Sequence, residues 1–361
     1  MSLGELVKIS NFYGRNEDFV LAGGGNTSYK DKDFLYIKGS GTSLATITED
    51  GFVKMNRKRL SEIWDKTYPE TSDERESLVL ADLMAAREND DKRPSVETLL
   101  HDLFPQSYVV HTHPALINGL TCSVRGETAA EELFGGDAIW IPPTMPGYVL
   151  ARAVREKIEE QKSKGKRMDI VFLANHGVFA AGNSPDEIKS LMCMIFDKII
   201  SKISRKPDFS PVPKDFSDVL SNLKNIIDAQ SVLFECNREI QSYVESRERF
   251  NKVYSAFTPD HMVYYKHKAM FVGKNENLKE ALESFTSSYG FKPKIVAFEG
   301  LGVFACDESE KAALTDLMLF KDTVKIAVYS ESFGGGVFMP DWLIDFIANW
   351  EAESYRKSQS K

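Results

Sequence analysis

The sequence predicts an α/β fold in two units. Three observations carry that expectation. Short apolar runs alternate with helical patterns through the first half. A proline-rich stretch, KPDFSPVPKDF (206–216), then interrupts the chain. Beyond it, a strand–turn–strand–helix pattern from the first half recurs. The expected division is a first domain over 1–205, a linker over 206–216 and a second domain over 217–361. A chain of 361 residues is also longer than the roughly 100–200 residues of a common single domain.

The elements follow from local pattern. DERESLVLADLMAARE (73–88) has the spacing of an amphipathic helix. A second helix is expected between Pro94 and Pro105, and SYVVHTH (107–113) is short and β-branched, hence a strand. YVLARAVREKIEEQKSKG (148–165) reads as a helix stopped by Gly165, and MDIVFLA (168–174) as a buried strand. Ser184 and Glu187 form a capping-box pattern with Pro185 at the first helical position. Ile188, Leu191, Met192, Ile195, Phe196 and Ile199 follow as a core-facing stripe.

The recurrence is specific in detail. IVFLANHGVFAAGNSPDEI begins at Ile170, and IVAFEGLGVFACDESEKAA begins 125 residues later at Ile295 (295 − 170). Gly177 aligns with Gly302 and the VFA triplets align, but His176 aligns with Leu301. We read this as a duplicated unit whose second copy is degenerate; chance likeness of two strand–turn–helix units is the alternative.

Composition narrows the function classes. A hydrophobic content of 42% with 27% charged residues is that of a soluble globular protein. The net charge of −8 argues against a nucleic-acid-binding face. The N-terminus MSLGELVKIS has no signal-peptide pattern, and no window reaches the roughly 18 apolar residues of a membrane span. Four scattered cysteines with no C-x-x-C pair suit a reducing compartment, so a cytoplasmic location is expected.

Six histidines serve the whole chain, and two of them stand in VVHTHPAL (109–116). Residues i and i+2 of a strand share a face, so His111 and His113 project together. Neutral imidazoles so placed can both reach one cation at about 2.0–2.1 Å. Alone, the pair is as compatible with a hydrogen-bonded strand as with a ligand pair. His176 adds to it: ANHGV ends an apolar strand and enters a glycine turn, where a histidine is expected to be exposed at the sheet end. Three neutral histidines with an open position are the ligand set of a catalytic Zn²⁺. Glu97, expected in the first turn of a helix, is ordinary helix-start charge by itself; beside a metal it becomes a candidate general base. His101, four residues on, is a structural hydrogen-bonder or a fourth ligand.

Two glycine-rich loops, LAGGGNTSYK (21–30) and YIKGSGTSL (36–44), can present consecutive backbone N–H groups to an anion. Thr27, Ser28, Ser40 and Thr42 lie beside them, and Lys38 supplies charge. Neither loop matches a nucleotide-binding pattern, and each alone could be a hairpin turn. Together they suggest a phosphate cradle.

In order, GGGNTS, KGSGT, PSVETLLH, VVHTHP and ANHGV resemble the class II aldolase/adducin family over roughly residues 15–200. Within it, the chain is most similar to the aldolase part of bifunctional rhamnulose-phosphate aldolase/short-chain dehydrogenase proteins. TPDHMVYYKHKAMFVG, KIVAFEGLGVFA and KIAVYSESFGGGVFMPDWLIDFIANWEAESYR share that similarity. The dehydrogenase domain of those proteins has no counterpart before Lys361, so a stand-alone aldolase module is expected. The resemblance implies a three-layer α/β/α fold with a largely antiparallel central sheet. It also implies a homotetramer with active sites near subunit interfaces. It casts His111, His113 and His176 as ligands of one Zn²⁺ per chain and Glu97 as catalytic acid/base. Gly25, Asn26, Ser40, Gly41 and Ser95 fall where relatives hold the phosphate of a sugar phosphate. Two departures stand out: Val96 replaces a second phosphate-binding serine, and WIPPTMPGYVLA (140–151) lacks the expected aldehyde-side tyrosine, Tyr148 coming too late.

The implied reaction cleaves a ketose 1-phosphate, such as L-rhamnulose 1-phosphate, to dihydroxyacetone phosphate and a small aldehyde. A metal ion would act as Lewis acid for an enediolate, with Glu97 moving the proton. The rival readings are a sugar-phosphate epimerase or dehydratase on the same metal site, and a non-enzymatic adducin-like binding module.

Overall fold

The computed structural model of the chain describes residues 3–88 and 91–350. Residues 351–356 of the last quoted segment lie outside them. The first unit is built on seven strands: β1 (Asn26–Lys30), β2 (Phe34–Lys38), β3 (Phe52–Asn56), β4 (Tyr108–Thr112), β5 (Ile139–Ile141), β6 (Ile170–Leu173) and β7 (Gly177–Gly182). Their order is β3-β2-β1-β4-β7-β6-β5. All neighbours are antiparallel except β5 and β6, so the sheet is largely antiparallel, as expected.

Eight helices flank it: α1 (Leu3–Gly14), α2 (Arg57–Ile63), α3 (Ser72–Ala85), α4 (Thr98–Leu103), α5 (Ala115–Thr121), α6 (Gly126–Phe134), α7 (Tyr148–Ser163) and α8 (Pro185–Ile200). Leu60, Leu83, Leu99 and Val154, from α2, α3, α4 and α7, pack with Val109 and Phe179 on one face. Leu6, Ile117, Phe134 and Ile195, from α1, α5, α6 and α8, pack with Tyr108 and Val110 on the other. Alternate residues of β4 therefore enter different apolar layers, and the whole strand is buried. Burial on both faces fits the consecutive apolar residues Tyr108, Val109 and Val110, which do not alternate with polar ones.

The second unit is a four-stranded sheet in the order β8-β11-β10-β9, from β8 (Ser231–Glu235), β9 (Met270–Val272), β10 (Ile295–Phe298) and β11 (Gly302–Asp307). Its helices are α9 (Ser217–Ile226), α10 (Arg238–Tyr243), α11 (Arg247–Phe250), α12 (Pro259–Tyr264), α13 (Leu278–Tyr289), α14 (Glu310–Ser330) and α15 (Asp341–Asn349). Its register repeats that of the first unit. Leu173 pairs with Gly177 as Phe298 pairs with Gly302, and His111 pairs with Phe179 as Phe234 pairs with Phe304. Asn175 and Gly300 occupy the same turn position, both at positive φ (55° and 75°). Ser184 and Ser309 cap the following helices by accepting from Glu187 N and Ala312 N.

The two units share apolar packing. α14 lies along α5, and Leu21, Ala115 and Cys122 join the apolar cluster of the second unit. Asn175 Nδ2 donates to the carbonyls of Phe257 (3.1 Å) and Val337 (2.8 Å), tying the β6–β7 turn to the second unit. No helix among the described residues is long and apolar enough to cross a membrane.

Candidate active site

Antiparallel pairing fixes the centre of the site. Asn26 of β1 lies opposite His111 of β4, which lies opposite Phe179 of β7. The His111 ring stacks on Phe179 with centroids 4.0 Å apart. His113 follows one residue past the end of β4, and His176 stands in the β6–β7 turn. Gly177 lets that turn close: a Cβ there would stand 2.5 Å from Thr112 O and 2.7 Å from His113 Cδ2. One ring nitrogen from each of His111, His113 and His176 lies within 4.8 Å of the others.

Hydrogen bonds decide which nitrogens face inward. His111 Nδ1 donates to Val178 O (3.0 Å), and His113 Nδ1 donates to Asp260 Oδ2 (2.5 Å). With one N–H per ring, placed at Nδ1, both Nε2 lone pairs point at one another across 2.8 Å. Such facing lone pairs repel unless a cation lies between them. Burial, then the neighbouring His113, pushes the pKa of His176 down to about 3, so that ring is a neutral imidazole, the form that binds metal. His176 differs from expectation in one respect. Its side chain is only 13% exposed, because Pro259 and Trp350 of the second unit border the same cleft.

Glu97 faces the three histidines. It is the N-cap of α4, one residue ahead of the helix, whereas the sequence placed it in the first turn. Oε2 accepts from Asn26 Nδ2. Oε1 is buried without a hydrogen-bond partner, 3.4 Å from His111 Nε2 and 3.8 Å from His176 Nε2. Because Asn26 Nδ2 donates to Glu97, its Oδ1 must accept, which assigns the His101 proton to Nε2. His101 Nδ1 then accepts from Ser28 Oγ at 2.7 Å. Both ring nitrogens of His101 are committed, so it supports the site and is no fourth ligand. Three histidines and a bare carboxylate oxygen converging on one point suit a divalent cation such as Zn²⁺.

The cradle is partly as expected. Gly25, Asn26, Lys38, Ser40, Gly41 and Ser95 line one cleft together with Glu97, His113 and His176. Two corrections apply. Thr27 faces the opposite side of β1, its Oγ1 2.6 Å from Ser10 Oγ. The strand starts at Asn26, so alternation sends Asn26 into the cleft and Thr27 out of it. The amides of Ser40 and Thr42 donate to Arg93 O and Gly39 O, so those N–H groups are already spent within the chain. Tyr148 is packed away, its ring 4.9 Å from Tyr68 and 5.9 Å from Trp64.

Sequence reasoning missed the contribution of the second unit. Asp260, Pro259 and Trp350 all reach the site, and Tyr264 Oη accepts from Gly23 N at 2.9 Å. In TPDH the aspartate looks like ordinary helix-start charge, and no spacing ties it to a histidine far upstream.

Residues 5–197 match the family model described as Class II Aldolase and Adducin N-terminal domain; the chain belongs to this family. A curated relative, the uncharacterized oxidoreductase YuxG of Bacillus subtilis (strain 168), is 24% identical across 98% of this chain. The chain spans 58% of that relative's length. Among solved structures, it is similar to the N-terminal class II aldolase domain of a conserved protein from Thermoplasma acidophilum. That likeness is 26% identical, covers 56% of this chain and 93% of the other, and has a TM-score of 0.48. An L-fuculose 1-phosphate aldolase is 20% identical over 62% of this chain and 96% of its own, with a TM-score of 0.38.

Proposed function

We propose that this chain is a zinc-dependent aldolase acting on a ketose 1-phosphate, with L-rhamnulose 1-phosphate the first candidate. The products are dihydroxyacetone phosphate and a small aldehyde. The observation that carries the reading is Glu97 Oε1, buried without a hydrogen bond beside the cluster of His111, His113 and His176. His111, His113 and His176 would hold the Zn²⁺, which would supply Lewis-acid stabilisation of the negative charge left by cleavage.

The chain's own residues do the rest. Lys38, Ser40, Gly41 and Ser95, with Gly25 and Asn26, hold the substrate phosphate. They use binding energy away from the reacting bond to set its orientation. Asn26 fixes the Glu97 carboxylate through Oε2. Glu97 then returns a proton to the carbon freed by cleavage, or removes it in the condensation direction. The second unit is a degenerate copy of the first. Phe234, Cys236 and Leu301 take the positions of His111, His113 and His176 in the shared register and cannot form the same ligand set. The working assembly is a homotetramer.

The test is to incubate the protein with L-rhamnulose 1-phosphate and other ketose 1-phosphates. Dihydroxyacetone phosphate should form, and a chelator should stop it. An epimer or a dehydrated sugar as sole product would transfer the site to the rival chemistry.

A further inference from the structure

We propose that Asp260, from the second unit, is a positioning residue for the metal site. It fixes His113 by accepting the Nδ1 proton, which makes cation affinity depend on the second unit. The proposal rests on the reading that the three histidines hold a cation. Asp260 is 4% exposed and sits at the start of α12, 147 residues from the ring it meets. His111 receives its orienting contact from a neutral carbonyl of its own unit, Val178 O. His113 receives it from a carboxylate of the other unit, and an anion at Nδ1 both fixes the tautomer and strengthens Nε2 as a donor.

The approach is built into both partners. A Cβ on Gly24 would stand 2.9 Å from Asp260 Oδ2, so the glycine loop passes directly over the carboxylate. One helical turn on, Tyr264 Oη accepts from Gly23 N at 2.9 Å. Pro259, beside Asp260, lines the cleft with Ser40 and Glu97. α12 therefore holds a metal ligand and the phosphate-side loop at once.

Full-length Asp260→Asn keeps the shape and one acceptor oxygen but removes the charge. Zn²⁺ and Co²⁺ affinities are measured by chelator competition, with the Co²⁺ visible spectrum and the metal-free unfolding midpoint alongside. We expect metal affinity to fall about 10- to 100-fold and the Co²⁺ bands to change. Tyr264→Phe, which removes only the hydroxyl that Gly23 N meets and leaves the carboxylate in place, should weaken metal binding far less than Asp260→Asn. Should Asp260→Asn not fold, Asp260→Glu, which keeps the charge but displaces it, is read the same way. Wild-type affinity and spectrum in Asp260→Asn, or equal weakening in Tyr264→Phe, would overturn the proposal and leave only an interface contact. A wild-type chain that binds neither metal would instead sink the underlying reading of the site.

Discussion

Glu97 Oε1 lies 3.4 Å from His111 Nε2 and accepts no hydrogen bond, although it is buried. A buried carboxylate oxygen without a partner is costly, and its persistence marks a place where a cation or substrate supplies the missing contact. Glu97→Gln keeps the size and the approach to Asn26 but removes the base. The variant should retain bound metal while turnover drops about 10²- to 10⁴-fold. Metal analysis and steady-state rates on the same preparation check this; undiminished turnover would remove Glu97 from proton transfer.

His176→Leu installs in the first unit the residue that the second carries at Leu301. The variant should fold, since the second unit accommodates leucine in the same turn, yet lose metal binding and activity together. Elemental analysis and circular dichroism decide it. Full metal retention would mean that His176 is not a ligand.

Lys38 is 5% exposed and lines the cleft with Ser40 and Ser95. Lys38→Met should forfeit a charged hydrogen bond to phosphate, about 1.5–3 kcal/mol, or roughly a 10- to 100-fold rise in KM. A dephosphorylated substrate analogue should show little difference between wild type and variant. An equal loss on both would point to a structural lysine.

Far from the site, Asp316 shares Lys294 with Asp307 at the side of the second sheet. Burial pushes the pKa of Asp316 up to about 8, the adjacent Asp307 adding to the shift while Lys294 opposes it. Between pH about 4 and about 8 the folded chain keeps this proton and the unfolded chain has lost it. The contribution is full below about pH 4 and is lost as pH rises through about 8, so stability falls across that window. Asp316→Asn should flatten the decline in unfolding midpoint between pH about 5 and about 8. Parallel pH profiles for the two proteins would contradict it.

How far the sequence disclosed this site depends on the range of the signal. His111 and His113 are legible because strand alternation links neighbours, and His176 because an apolar strand meets a glycine turn. The second sheet is legible at β10 and β11, where the recurrence preserves register, but β8 and β9 carry no such echo. Thr27 adjoins the glycine loop in sequence, but alternation along a strand that begins at Asn26 turns it to the opposite face, which loop composition alone does not show. Asp260 was invisible because only the docking of α12 brings it to His113, a tertiary contact with no local pattern behind it. The family match and the sheet confirm the aldolase-like fold of the first unit.

The central claim is that His111, His113 and His176 hold a catalytic metal. Elemental analysis of purified protein, paired with aldol-cleavage assays before and after chelation, tests it most directly. The account predicts about one Zn²⁺ per chain, activity lost on chelation and restored by adding the metal back. A metal-free protein that cleaves its substrate equally well with and without chelator would contradict it.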